Sequence, residues 1–112
     1  MHRLFILTLF ISMACSSREE VPSDIYSSTK MVAVLLDVHL LEEKLEVMGM
    51  PYDSQLIMYD HFERLIFEKH AIDSSAYSQS FNYYIEHPGL IETIYEGVVD
   101  SLLVKEKTQS ID

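Results

Sequence analysis

Asp37-Val38-His39-Leu40-Leu41-Glu42-Glu43 is the stretch whose residue types come nearest to chemistry. His39 stands three residues before Glu42 and four before Glu43, a helical spacing that can set two metal ligands on one face. Di-iron bundles pair a Glu with a His three residues later, twice, and add further Glu from other helices. Here the order is reversed and occurs once, with no His-x-x-x-His, so no metal is expected. His39 is expected to be hydrogen-bonded, and Glu42 and Glu43 solvated or paired. Asp37 lies about 200° round the helix from His39 and faces elsewhere. Glu42 projects within about 60° of the Val38–Leu45 core line. An acid so placed reaches past the rim to water or needs a partner such as a tyrosine hydroxyl, and a structural hydrogen bond is expected.

The remaining chemistry-bearing residues are dispersed. His61, His70 and His87 read as surface or capping residues, with His70 at a helix end where positive charge is favoured and His87 at a turn. There is no Gly-rich phosphate loop and no Gly-x-Ser-x-Gly elbow, and the single cysteine has another use. A Ser–His–Asp set drawn from the many serines would be selected by nothing in the spacing. No catalytic residue is expected, and no cofactor. Among the seven tyrosines, Tyr77 and Tyr84 share a helical face with Phe81 and read as core. Tyr83 and Tyr95 read as outward-facing, as tyrosines at protein-binding surfaces do.

These residues need helices to hold them. Met31, Val34, Val38, Leu41, Leu45 and Met48 recur at steps of three and four, one face of a first helix. Val32, Leu36, Leu40 and Val47 make a second apolar set on roughly its opposite side. A helix apolar on two sides is buried by neighbours on both, or awaits a partner. The first helix should begin at Ser28 or Thr29 and end near Gly49, with Pro51 as a stop signal. Asp53 or Ser54 should cap a second helix running to about His70, with Leu56, Tyr59, Phe62, Leu65 and Ile66 as its apolar stripe. Asp60 and Arg64 can pair on its wet side.

Asp73 should cap a short aromatic third helix, with Ile72 stapled onto Tyr77, ended by His87-Pro88-Gly89. Pro88 then opens a fourth helix on Ile91, Ile94, Val98 and Leu102, broadened by Tyr95, Val99 and Leu103. Lys105 and Lys107 suit the dipole near its C-terminal end. No strand-like alternation of useful length occurs. The fold class expected is all-α: a small bundle of about four helices with short links.

The 112 residues leave room for one domain, and 48% hydrophobic content with three Gly and three Pro is globular. Eighteen acids against eight bases give a net charge of −10, which argues against nucleic acid and against attraction to an anionic membrane surface. Any membrane attachment must come from the N-terminus. There, His2 and Arg3 precede the apolar run Leu4 to Ile11 and then Ser12-Met13-Ala14-Cys15, the plan of a secretory signal peptide. The run is too short for a permanent span, which needs about 20 apolar residues.

The lone Cys15 closes off any internal disulfide. Ala14-Cys15 resembles the lipobox of bacterial lipoproteins, in which the cysteine is acylated and becomes the mature N-terminus. Ser12 departs from the usual Leu, and Ser12-x-Ala14 also suits an ordinary signal peptidase cutting at the same bond. Lipidation is the favoured reading, because the alternative leaves a reactive thiol exposed in an oxidising compartment. Several acyl chains on one residue anchor stably where a single chain is marginal. The expected organisation is a signal peptide over 1–14, the lipidated Cys15 and a flexible polar tether over 15–28, a helical domain over 29–108 and a disordered tail over 109–112. Arg18-Glu19-Glu20 resembles the short basic-then-acidic export signal of Bacteroidota surface lipoproteins.

Three phrases resemble one family: KMVAVLLDVHLLEEKL at Lys30–Leu45, FEKHAIDSSAYSQSFNYYIEHP at Phe67–Pro88 and LIETIYEGVVDSLL at Leu90–Leu103. It is the family of small Bacteroidota lipoproteins catalogued as domain of unknown function 4296. The resemblance covers most of the mature chain and implies a helical, non-enzymatic cell-envelope protein. It supplies no activity.

The function expected is a lipid-anchored, non-catalytic adaptor or accessory subunit, exported and held at the outer membrane, binding another envelope protein. Val32, Leu36, Leu40 and Val47, with Tyr83 and Tyr95, are the candidate partner surface, provided the fourth helix leaves the first stripe uncovered. The alternative is a small-ligand or metal-binding envelope module using His39, Glu42 and Tyr84, with Asp37, His39 and Glu42 as its polar cluster.

Overall fold

The computed structural model describes residues 20–109. They form four helices, α1 (Ser28–Val47), α2 (Tyr52–Lys69), α3 (Ser74–Ile85) and α4 (Pro88–Gln109), with no strand among the described residues. The all-α expectation is met. Gln109, assigned to the tail, is the last residue of α4.

The helix boundaries follow local chemistry. Ser27 caps α1, its Oγ accepting from the Lys30 N–H at 3.2 Å and satisfying one of the free donors of the first turn. Gly49, at φ +62°, takes the left-handed conformation just past the end of α1. α2 starts ahead of its expected caps. Pro51 is its N-cap with no side-chain bond, and Asp53 lies inside the first turn, where its charge suits the dipole.

α2 ends in a Schellman turn: Ala71 N–H donates to Glu68 O at 3.1 Å, and Ile72 N–H to Phe67 O at 3.0 Å. The left-handed position of that turn is filled by Ala71, at φ +52°, rather than by a glycine. Asp73 caps α3 as expected, its Oδ2 accepting from Ala76 N–H at 3.0 Å. Ile72 is buried with Tyr77 packed against its cluster, the staple arrangement. Pro88 is the first residue of α4.

α1 is the centre of the bundle, with α2 packed on one side and α4 on the other, and α3 against α4. One apolar face of α1 feeds two clusters. Met31 and Leu35 join Tyr84, Ile94 and Val98; Val34 and Val38 join Phe67 and Ile72. Met48, expected in the core line, is exposed, whereas Leu35 is buried in its place.

α2 departs furthest from expectation. Phe67 alone is buried on it, Tyr59 and Ile66 are half-buried, and Leu56, Phe62 and Leu65 are 50%, 37% and 44% exposed. Among the described residues α2 packs chiefly on α1, so part of a stripe wide enough for two neighbours has only one.

The described part of the expected tether also differs. Val21, Ile25 and Tyr26 pack against the first cluster, and Asp24 accepts a hydrogen bond from Gln79 at 2.8 Å. Tyr26 is tied at three points. Its N–H donates to Ser80 Oγ at 2.9 Å, its hydroxyl accepts from Asp73 N–H at 2.9 Å, and its carbonyl accepts from Tyr84 Oη at 2.7 Å. The apolar residues within the polar run have a face to bury, and only the folded bundle presents it.

Candidate functional site

α1 carries the provocative heptad through the middle of the bundle, and its period sends Asp37 and the His39–Glu42 pair to different neighbours. His39 Nδ1 and Glu42 Oε2 lie 3.5 Å apart at the rim, the expected one-turn pair. Glu42 faces His39 with its side chain half exposed. No described tyrosine hydroxyl is its partner; the hydroxyl of nearby Tyr59 lies beside Glu63. Among the described residues no three His, Cys, Asp or Glu gather to hold a metal ion.

Asp37 points away from His39, as expected, and finds partners that spacing alone did not suggest. Lys69 Nζ and His70 Nε2 both meet its Oδ2, at 2.8 and 2.7 Å. Burial works to raise the Asp37 carboxyl, but the hydrogen bonds and charges of Lys69 and His70 outweigh it and hold the group below its usual 3.8. His70 is therefore a strut between α2 and α1, with both side chains 16% exposed, rather than a surface cap. The signal was the Lys-His pair at a helix end; its acid lies more than thirty residues away, on the far side of a turn.

The expected partner surface is divided. Val32 packs into the α1–α4 interface, where a Cβ placed on Gly97 would come within 2.9 Å of its Cγ2. Leu36 and Leu40 are half-buried, and Val47 is 81% exposed. α4 covers one end of the stripe, so the four residues do not form a free face. Tyr83 is half-buried and stacked on His87 at 4.2 Å between ring centroids. His87 Nδ1 bonds Tyr83 O at 2.6 Å. Tyr95 remains 41% exposed, tilted against His39 at 6.4 Å. Tyr84 is fully buried and its hydroxyl is committed to Tyr26 O, which removes it from any ligand set. Cys15 lies outside the described residues.

Two of the concave features among the described residues involve these side chains. An apolar groove of about 350 Å³ runs between α1 and α2, lined chiefly by Leu41, Leu45, Met48, Met58, Phe62 and Leu65, with Lys44 and the Lys69–Asp37 pair also in its lining. A more polar cleft of about 430 Å³ opens where all four helices meet, around His39, Glu42, Tyr59, Tyr77 and Tyr95. Burial and the carboxylates of Glu63 and Glu42 raise the Tyr59 hydroxyl well above the ordinary phenol range. Burial, Glu63, Tyr95 and Glu42 push Tyr77 up to about 12. Both rings stay protonated at neutral pH.

The profile of the domain of unknown function DUF4296 matches residues 22–108, from the docked segment before α1 almost to the end of α4. The chain belongs to that family. Its matched region begins where the described N-terminal segment starts to pack, so Ile25 and Tyr26 are part of the DUF4296 unit. No curated protein and no solved structure matches the chain. No described helix is long and apolar enough to cross a membrane.

Proposed function

We propose that this DUF4296 chain is a lipid-anchored, non-catalytic envelope protein that holds a partner protein in the groove between α1 and α2. The observation that carries the reading is the uncovered apolar edge of α2. Phe62 and Leu65 of α2 and Met48 at the end of α1 are exposed and line that groove together. Contiguous exposed apolar residues rimmed by charge are the mark of an interaction surface.

The occupant proposed is an amphipathic helix of another envelope protein, apolar on one side and acidic along its flank. Lys44 stands at the groove in a chain that is otherwise strongly acidic, while Lys69 beside it is already paired with Asp37; the Lys44 charge complements such a flank. A second copy of this chain is disfavoured by its own net charge of −10. The non-catalytic part of the proposal is supported by Ser80, the one buried polar residue described. Its hydroxyl donates to Ala76 O and accepts from Tyr26 N–H, a structural use.

The test is a photo-crosslinking residue at Phe62 in cells making the full, processed chain. One partner should be trapped at Phe62, lost when Leu65→Asp is added, and not trapped from a probe at Glu96. Equal trapping at both positions, or trapping of this chain alone, overturns the proposal. Mass measurement of the mature N-terminus, with Cys15→Ala beside it, tests acylation separately; an unmodified Cys15 overturns the anchor.

A further inference from the structure

The four-helix cleft is separate from the α1–α2 groove and differs from it in charge. Its volume of about 430 Å³ falls in the range of small-ligand sites. Among the described residues its lining contains no lysine or arginine, and its His39 stands 3.5 Å from Glu42; the groove has two lysines, one of them paired with Asp37. What the cleft offers instead is aromatic rings and acid. Tyr59 comes from α2, Tyr77 from α3 and Tyr95 from α4, while Glu42 stands on α1 with its side chain half exposed. Glu63 adds a second carboxylate within electrostatic reach of Tyr59 and Tyr77. Asn82 supplies a neutral amide.

Rings with negative faces attract cations, and a carboxylate beside them supplies a charge-assisted hydrogen bond. An anion entering here would meet Glu42 and Glu63 with no compensating lysine or arginine in the lining. A neutral apolar ligand would strand the hydroxyls and the amide without partners. A bare metal ion lacks a third ligating side chain among the described residues. An organic cation meets both the carboxylate and the rings, taking the place of His39 beside Glu42.

We propose that the cleft at the meeting of the four helices binds an alkylguanidinium or alkylammonium group, with Glu42 as its counter-ion and Tyr59, Tyr77 and Tyr95 as its aromatic walls. The group arrives either on a free amine or on an arginine or lysine side chain of another protein; the recognition chemistry is the same.

The chain has seven Tyr and no Trp, so intrinsic tyrosine fluorescence reports on the cleft when the full chain is titrated with agmatine. Saturable binding is expected, weakened at least tenfold by Glu42→Gln and several-fold by Tyr95→Ala, and unchanged by Glu43→Gln at the adjacent exposed position. Both Glu42 and Tyr95 are exposed enough for these variants to fold, which far-UV circular dichroism checks. N-butylurea, the neutral counterpart, should not bind. A second arm uses the peptide acetyl-Gly-Arg-Gly-amide: tighter binding than agmatine assigns the group to a protein chain, and weaker binding assigns it to a free amine. Failure of agmatine and the peptide to saturate, equal binding of N-butylurea, or an equal loss with Glu43→Gln overturns the proposal.

Discussion

Gly97→Ala is the substitution that tests whether α4 lies on the apolar stripe of α1. A Cβ at position 97 would stand 2.9 Å from Val32 Cγ2 and 3.4 Å from Cγ1. Val32 is β-branched inside a helix, where one χ1 rotamer dominates, so it does not swing aside. The helices must part, and overpacking of this kind costs about 1–3 kcal/mol. Alanine regains about 1 kcal/mol of helix propensity over glycine, which leaves a modest net destabilisation.

In a Val32→Ala background both γ carbons are gone and the nearest remaining side-chain contact is the ordinary 3.8 Å to Cβ. The same Gly97→Ala change should then stabilise by about 1 kcal/mol. The reversal of sign is the prediction. Urea unfolding followed by far-UV circular dichroism on wild type, both single variants and the double variant gives the coupling energy, expected at about 1–3 kcal/mol. Each kcal/mol corresponds to about 4–8 °C in Tm for a domain of this size. If Gly97→Ala stabilises the chain with Val32 in place, α4 does not cover Val32. The stripe of Val32, Leu36, Leu40 and Val47 then returns as an open surface.

Ala71→Gly should stabilise by about 1 kcal/mol, because the left-handed Schellman position costs an alanine roughly that much; a lower urea midpoint would contradict the assigned turn. Asp37→Asn should cost about 1–2 kcal/mol near neutral pH through the weakened contact to His70, the exposed Lys69 end adding little. The Asp37 carboxyl is held below 3.8 in the folded chain, so its contribution is complete above pH 3.8 and is lost as the pH falls below it. Stability curves of wild type and Asp37→Asn should therefore converge in acid, and a gap independent of pH would refute the pairing. Tyr77, pushed up to about 12 from 10.0, favours the folded state below pH 10 and loses that contribution between pH 10 and 12. Tyr77→Phe should flatten the alkaline limb of the unfolding profile.

The helix caps and breaks were legible because their causes are local. Asp73 and Pro88 act within a few residues of themselves, and the expectation and the structure agree at both. Near-neighbour spacing likewise put His39 beside Glu42 and turned Asp37 away from them. The α2 caps failed for an equally local reason: Pro51, with its fixed φ, stands at the N-cap before Asp53 can act as one.

The sequence alone determined four helices and the two apolar faces of α1, because a 3.6-residue period records which faces are apolar whatever they later meet. Which neighbour takes which face was decided only by the tertiary structure. α4 reached Val32 because Gly97 lets the backbones close in, and α2 was left half uncovered because among the described residues it packs chiefly on α1. Tyr26 docked on Ser80 and Tyr84, and His70 found Asp37, across separations at which no periodicity survives. The cleft belongs to the same class: four helices each contribute a wall, and only their packing makes those walls face one another.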